Sequence, residues 1–457
     1  MSLIAASASS TPILPVVESD WPAWRDAQPA ARRQALAALR FEGRRYTHAV
    51  LLDAEGRPSL IVVGVRRLDD VWALGNLALT LPDADYHLDP GLPHGAVRLL
   101  ALGFALGAYQ YTRYKPKARR PSARLVVADA TRRAELEAIV EAVTVARDLV
   151  NTPTEDLGPQ ELADVVAALA ARHGASYQCR SGDVLLQDGF PAIHAVGRAS
   201  HRAPRLIELR WGQAEHPPIA ILGKGVCFDT GGLDLKPADG MALMKKDMGG
   251  AAVAIGLAQL VMQRRLPIRL HLLIPAVENA VGPNAYRPGE VIATRAGHRV
   301  EIGNTDAEGR VVLCDALTYA AESQPELVLD FATLTGAARI ALGPDLPALF
   351  GNQEACVEDL LAAGRAEGDP LWAMPLWEDY QALLDSKIAD FNNAGSSKMA
   401  GCITAALYLA RFVPPTLPWL HLDTYCWSEG KPGRPAGGDC QGLRAAFTFL
   451  ESRYAGD

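Results

Sequence analysis

Lysines and carboxylates recur in short, glycine-punctuated turns at two places in this 457-residue chain. One is Asn304-Thr-Asp-Ala-Glu-Gly-Arg310. The other lies upstream and holds Lys224, Asp229, Lys236 and Asp247, within Gly223-Lys-Gly-Val-Cys-Phe-Asp-Thr-Gly-Gly232 and the stretch 236–250. Asp229, Asp247, Asp306 and Glu308 carry a formal charge of −4. Gathered at low dielectric, they repel one another unless cations sit among them. Two divalent ions would balance the charge, and oxygen-rich sites are where such ions bind. Neither cluster contains a histidine, unlike a His-rich zinc site. A metal pair bridged by carboxylates can lower the pKa of a water and polarise a carbonyl. Each feature also has a plain structural reading. Thr305 and Glu308 have capping-box spacing ahead of Val311-Val-Leu313. Lys224 is either a salt-bridge partner or a neutral amine ligand, since a desolvated lysine beside cations loses its proton readily. Lys236 and Arg310 stay charged and suit an oxyanion.

Other motifs carry less. Gly223-Lys-Gly lacks the Walker spacing and the Lys-Ser/Thr pair. His421 and Asp423 suggest a triad, but no serine stands in a nucleophile elbow, and a histidine on an apolar strand reads as a satisfied core residue. Met241, Met244 and Met248 read as packing, with Met244 notable for its place between Lys236 and Asp247.

The surrounding pattern is α/β. Residues 1–20 are rich in Ala, Ser and Pro and read as a frayed end. Short strands such as His48–Asp53 and Ser59–Val65 then alternate with helices such as Pro29–Leu39 and Gly95–Tyr109. A connection follows at Tyr114–Ser122, then a strand at Leu125–Ala128. A helix over Ala130–Val150 leads into a second domain, and Asn151-Thr-Pro153 closes it. Helix Pro159–His173 comes next, then strands at Ala192–Gly197 and Leu206–Trp211. Apolar runs Ile219–Gly223, Arg269–Pro275, Leu327–Phe331 and Trp419–Leu422 read as buried central strands. Helices are expected near Gly249–Arg265, Ala307–Ser323, Cys356–Glu367, Trp377–Ser386, Ile403–Phe412 and Gly438–Tyr454. The expectation is two α/β domains, residues 1–145 and 146–457, the second with a mostly parallel central sheet flanked by helices. The motif-bearing turns follow strands, and open α/β sheets bind ligands at the carboxyl ends of their strands.

Composition narrows the class. Hydrophobic content of 49% and charged content of 21% are ordinary for a globular protein. A net charge of −7 argues against a general nucleic-acid-binding surface. The basic run Arg113–Arg124 reads as a solvated loop. Seven scattered cysteines without CxxC spacing read as reduced thiols in a cytosolic protein. Met1–Asp20 lacks a basic n-region and is not a secretory signal. The longest apolar stretch, Val97–Tyr109, is too short to span a bilayer.

The residues together carry a resemblance. Asn304–Arg310 resembles the signature of the leucyl (cytosol) aminopeptidase family, two-metal exopeptidases. The likeness extends through Gly223–Gly232, Lys236–Ala252, Ala285-Tyr-Arg-Pro-Gly-Glu290, Leu313–Thr318 and Asp330–Ala337, and Arg147–Pro153 resembles the start of that family's catalytic domain. It implies that Lys224, Asp229, Asp247, Asp306 and Glu308 are ligands of two divalent ions, Zn or Mn, with Asp229 and Glu308 shared. It implies that Lys236 polarises the scissile carbonyl and that Arg310 holds a bicarbonate serving as general base. The Gly336 amide and Leu334 carbonyl would meet the substrate backbone, and Met244 and Thr333 would wall the pocket for the N-terminal side chain. It further implies short peptides as substrates, a homohexamer with inward-facing sites, and a cytoplasmic enzyme. The residues alone leave room for another two-metal hydrolase such as a phosphoesterase, and some bacterial members of the family double as DNA-binding proteins. One segment departs. Asp423-Thr-Tyr-Cys-Trp427 stands where the family usually reads Asp-Ile-Ala-Gly, so a tyrosine, Tyr425, replaces a small residue at the pocket wall.

Overall fold

The computed structural model describes residues 2–115 and 123–456. Lys117, Arg119 and Arg120 of the basic run lie outside them, as does most of the expected connection at Tyr114–Ser122. Contacts divide the chain into two units, one of residues 1–144 with 428–437, the other of 145–427 with 438–457. The expected second domain is 146–457 without interruption. It lacks the excursion Ser428–Gly437, where Arg434 lies over the Trp72 ring at 5.6 Å within the first unit.

The first unit is built on six strands: β1 (Leu3–Ile4), β2 (Thr11–Val17), β3 (His48–Leu52), β4 (Pro58–Val65), β5 (Asp85–Leu88) and β6 (Arg124–Val126). Their order is β1-β6-β5-β2-β4-β3, parallel except for β3. The expected frayed end is therefore wrong. β2 sits inside the sheet with Ile13 fully buried, because Ile13, Leu14, Val16 and Val17 supply strand-forming bulk that outweighs the prolines between them. The helix His94–Gly107 is apolar nearly all round and mostly buried.

The second unit holds the larger, nine-stranded sheet. Its strands are β7 (Ser176–Ser181), β8 (Arg205–Trp211), β9 (Pro218–Gly223), β10 (Gly225–Asp229) and β11 (Arg269–Asn279), followed, after β12 (Val291–Ala293) and β13 (Arg299–Glu301), by β14 (Leu327–Ala332), β15 (Ala348–Gly351) and β16 (Trp372–Ala373); β17 (Phe391–Asn392) pairs with β13 in a separate three-stranded sheet, and β18 (Trp419–Asp423) returns to the main one. The order is β16-β15-β18-β14-β9-β11-β8-β7. At its centre β18, β14, β9 and β11 run parallel. Antiparallel pairs appear toward the edges, at β15–β18, β11–β8 and β7–β8. The parallel strands are buried on both faces, which is why they read as unbroken apolar runs. β10 continues β9 past Lys224 and pairs with the far half of β11.

Several helices fall where periodicity puts them, including Pro159–His173 and Gly249–Gln263. Pro191–Gly197 is a helix, not the expected strand, with Pro191 in its first turn. Six apolar-looking residues are too few for periodicity to decide between the two. Trp377–Ser386 reduces to a 3-10 helix, Glu378–Leu384. All seven cysteines are free thiols. No helix among the described residues is long and apolar enough to cross a membrane.

Candidate metal centre and substrate cleft

Because β9, β10, β14 and β18 point the same way, their ends meet at one edge. β9 ends just before Lys224 and β10 ends at Asp229. β14 ends just before Thr333, and β18 ends at Asp423. The helix Glu308–Glu322 brings Glu308 to the same place from its first turn. Thr305 does not cap that helix, whose N-cap is Ala307 with no side-chain hydrogen bond. The Thr305 hydroxyl instead donates to the Gly231 carbonyl (2.6 Å) and accepts from the Asp234 amide (2.8 Å). It thereby ties the two motifs together. Gly231 and Gly232 both have positive φ, +87° and +65°, which lets the chain turn back directly after Asp229.

The cluster is dense. The Lys224 ammonium lies 2.8 Å from Asp247 Oδ2 and 2.7 Å from Glu308 Oε1, and donates to the Thr333 carbonyl at 3.0 Å. Lys236 lies 2.8 Å from Asp229 Oδ2 and also pairs with Asp306 Oδ1. Oxygens of Asp229, Asp306 and Glu308 all lie within 4.8 Å of one another. Lys224 reaches its partners because residue 309 is glycine, where a Cβ would stand 2.7 Å from the lysine Nζ.

Four carboxylates face two lysines here, so negative charge is in surplus. Burial, then the nearby Asp229, pushes the Glu308 carboxyl up to about 8. The same two causes push Asp306 up to about 6. Burial works against the charged form of Lys224, but Asp247, Glu308 and Asp229 outweigh it and hold the amine above its ordinary range. Without metal Lys224 is thus an ammonium, the salt-bridge reading. The field that holds its proton reverses when cations arrive.

The donors fit divalent ions. Asp247 Oδ2, Asp306 Oδ1 and Glu308 Oε1 are buried, and each faces a lysine ammonium, Lys224 for Asp247 and Glu308 and Lys236 for Asp306. Carboxylate oxygens converging on one point, in a number that two lysines do not neutralise, suit a hard or borderline cation.

A cleft of about 460 Å³ opens over the cluster. Lys224, Asp229, Lys236, Asp247, Asp306 and Glu308 line it, together with the expected substrate residues Met244, Thr333, Leu334 and Gly336. The Thr333 hydroxyl bonds the Asp247 carboxylate at 2.8 Å. Arg310 is not among the lining residues. Its guanidinium is buried, donates to the Asn393 carbonyl (2.9 Å) and leaves Nε without a partner. His421 is a core residue, fully buried, with Nδ1 2.5 Å from Asp330 Oδ1.

Sequence reasoning missed several supports. Asn279 donates to Asp229 Oδ1 (2.8 Å) and to the Thr305 carbonyl (3.0 Å), and the Tyr286 hydroxyl reaches that carbonyl at 2.7 Å. Asp423 Oδ1 accepts from the Leu334 and Thr335 amides at 3.0 and 3.1 Å, fixing the turn that carries Gly336. Tyr286 and Asp423 stood in recognised motifs without an assigned role. Asn279 gave no signal beyond ending an apolar strand. Tyr425 lines the cleft, with Arg339 Cζ 4.7 Å and Lys246 Nζ 5.1 Å from its ring centroid.

A carboxylate-and-lysine cluster at the strand ends of a mostly parallel α/β sheet defines a metal-dependent hydrolase site. Residues 144–446 match the model of the cytosol aminopeptidase family catalytic domain, and 11–128 that of the M17 aminopeptidase N-terminal domain. A probable cytosol aminopeptidase of Geobacter sulfurreducens is 41% identical over 398 residues, 84% of this chain and 80% of that protein. The crystal structure of a cytosol aminopeptidase from Coxiella burnetii matches with a TM-score of 0.95 at 44% identity, covering 99% of both chains. A bottromycin maturation enzyme, BotP, in complex with Mn matches at 0.88 and 31%, over 98% of this chain and 100% of that one. The chain belongs to the cytosol aminopeptidase family. It is a peptide hydrolase of the metal-dependent aminopeptidase class, which sets aside the phosphoesterase alternative.

Proposed function

We propose that this enzyme removes N-terminal residues from short peptides, using two divalent ions held by Lys224, Asp229, Asp247, Asp306 and Glu308, with Asp229 and Glu308 shared. The observation that carries this is the convergence of Asp229, Asp306 and Glu308 oxygens within 4.8 Å of one another, in a cleft where four carboxylates face two lysines. Zn and Mn both suit the donors, and Mn is the ion with BotP. Bound there, such a pair supplies an activated water and polarises the scissile carbonyl.

The chain's own groups do the rest. Lys236, steadied by Asp229 and Asp306, points an ammonium at the developing oxyanion. Arg310, whose buried Nε has no hydrogen-bond partner among the described residues, would hold a bicarbonate serving as general base. The Gly336 amide and Leu334 carbonyl align the substrate backbone, on a turn that Asp423 keeps rigid. Met244 and Thr333 wall the pocket for the first side chain, and Tyr425 narrows it.

The assembly proposed is a cytoplasmic homohexamer, with the first unit serving assembly or substrate access. Exposed apolar side chains support self-association, with Ile340 86% and Met399 81% exposed. Metal analysis with a panel of aminoacyl amides tests the function. Two bound ions and release of the N-terminal residue are expected; hydrolysis without metal would refute it. Light scattering that shows a fully active monomer would refute the hexamer.

A further inference from the structure

The cleft contains cations that the metal chemistry does not use. Lys224 and Lys236 each sit between two carboxylates. Lys246 and Arg339 also line the cleft, yet among the described residues neither is within ion-pair distance of any carboxylate. Lys246 is only 5% exposed. Its sequence neighbour Asp247 is committed elsewhere, one oxygen to Thr333 and the other to Lys224. Lys245, by contrast, turns away, donating to the Asn151 carbonyl at 2.7 Å and lying over the Trp427 ring. What Lys246 and Arg339 share is the Tyr425 ring, which both approach within about 5 Å. A ring face offers two cations much less than a carboxylate does, and a buried ammonium without an anionic partner is costly.

We infer that Lys246 and Arg339, both against Tyr425, form a subsite for a substrate carboxylate. The inference rests on the aminopeptidase reading and names a substrate class for it. Met244 and Thr333 line the same cleft, so the carboxylate can be the side chain of an N-terminal aspartate or glutamate. It can also be the C-terminus of a dipeptide, whose chain is short enough to keep that group inside the cleft. Arg339, exposed and forked, would donate to either one bidentately.

The test compares kcat/KM for glutamyl, glutaminyl and alanyl anilides, which have no C-terminal carboxylate, and for Ala-Ala against Ala-Ala-amide. Each is measured in the metal-loaded wild type, Arg339→Gln and Lys246→Met, with bound metal determined in parallel. If the side chain is the anion, glutamyl exceeds glutaminyl by about tenfold or more, and both substitutions move that ratio toward one. If the C-terminus is the anion, the ratio of dipeptide to amide behaves this way. Both results support the subsite. It is refuted if neither pair shows a preference for the carboxylate, or if Arg339→Gln retains the preference in full. Alanyl anilide hydrolysis separates the two layers: a wild type that cleaves it but shows no carboxylate preference loses only the subsite, whereas one that does not cleave it loses the aminopeptidase reading as well.

Discussion

The two ends of the cleft treat positive charge in opposite ways. At the strand ends, each lysine sits between two carboxylates, and four carboxylates face two lysines. At the Tyr425 end, two cations share one ring and, among the described residues, no carboxylate within ion-pair distance. The first end has too much negative charge and the second too little. A cleft that needs cations at one end and an anion at the other is built to hold a substrate between a metal centre and an anionic group. The lesson concerns surplus: where a buried site fails to neutralise itself, the missing charge comes with a ligand.

Removing a carboxylate from the negative end has the largest expected effect. Asp229→Ala loses bound metal and activity together, read by elemental analysis and alanyl amide hydrolysis; retention of both would break the contrast. Lys236→Ala should lower kcat by about 100–1,000-fold while metal content holds, because an oxyanion-stabilising group typically contributes that factor. Near-full kcat would remove Lys236 from the chemistry.

The surplus also gives a pH signature. With Asp306 lifted to about 6 and Glu308 to about 8, the metal-free fold binds protons more tightly than the unfolded chain does. That contribution to stability is complete below about pH 4 and is lost as pH rises through both values. Metal needs the deprotonated ligands and binds only the folded site. The Tm gap between loaded and stripped protein should therefore widen from pH 5 to pH 8. A gap that is constant across this range would show that these carboxyls do not bind the ions.

The smallest effect belongs to the other end. Tyr425 lines the cleft, and a ring there takes volume that a close-packed pocket cannot recover without strain. Alanyl substrates should be favoured over leucyl and phenylalanyl ones, and Tyr425→Ala should narrow the difference by roughly 1–3 kcal/mol. Unchanged ratios in kcat/KM would place the ring outside the pocket.

Much of the negative end was legible in the sequence. Lysines and carboxylates in glycine-bearing turns after apolar runs have a restricted set of uses, and parallel strands bring such turns to one edge. The supports were harder to read. Asn279 becomes a partner of Asp229 only through the register of β10 on β11, and register is a property of the pair. Thr305 had the spacing of a cap but the environment of a cross-link between motifs. β2 reads as part of a frayed end because Ala, Ser and Pro make up half of residues 1–20, while the alternation of Ile13 with its neighbours is only a few residues long. Lys246 is indistinguishable in sequence from Lys245. Their opposite fates follow from the 3-10 turn Met244–Met248, which sends adjacent side chains to different surroundings.

Removal of N-terminal residues is expected to depend on metal held by this carboxylate cluster. The most direct measurement takes the purified enzyme, strips it by exhaustive chelation, verifies the loss by elemental analysis, and follows alanyl amide hydrolysis before stripping, after it, and on return of Mn or Zn. The account predicts two ions per chain at the start, no hydrolysis after stripping, and recovery on return. Hydrolysis that persists in protein shown to hold no metal would contradict it.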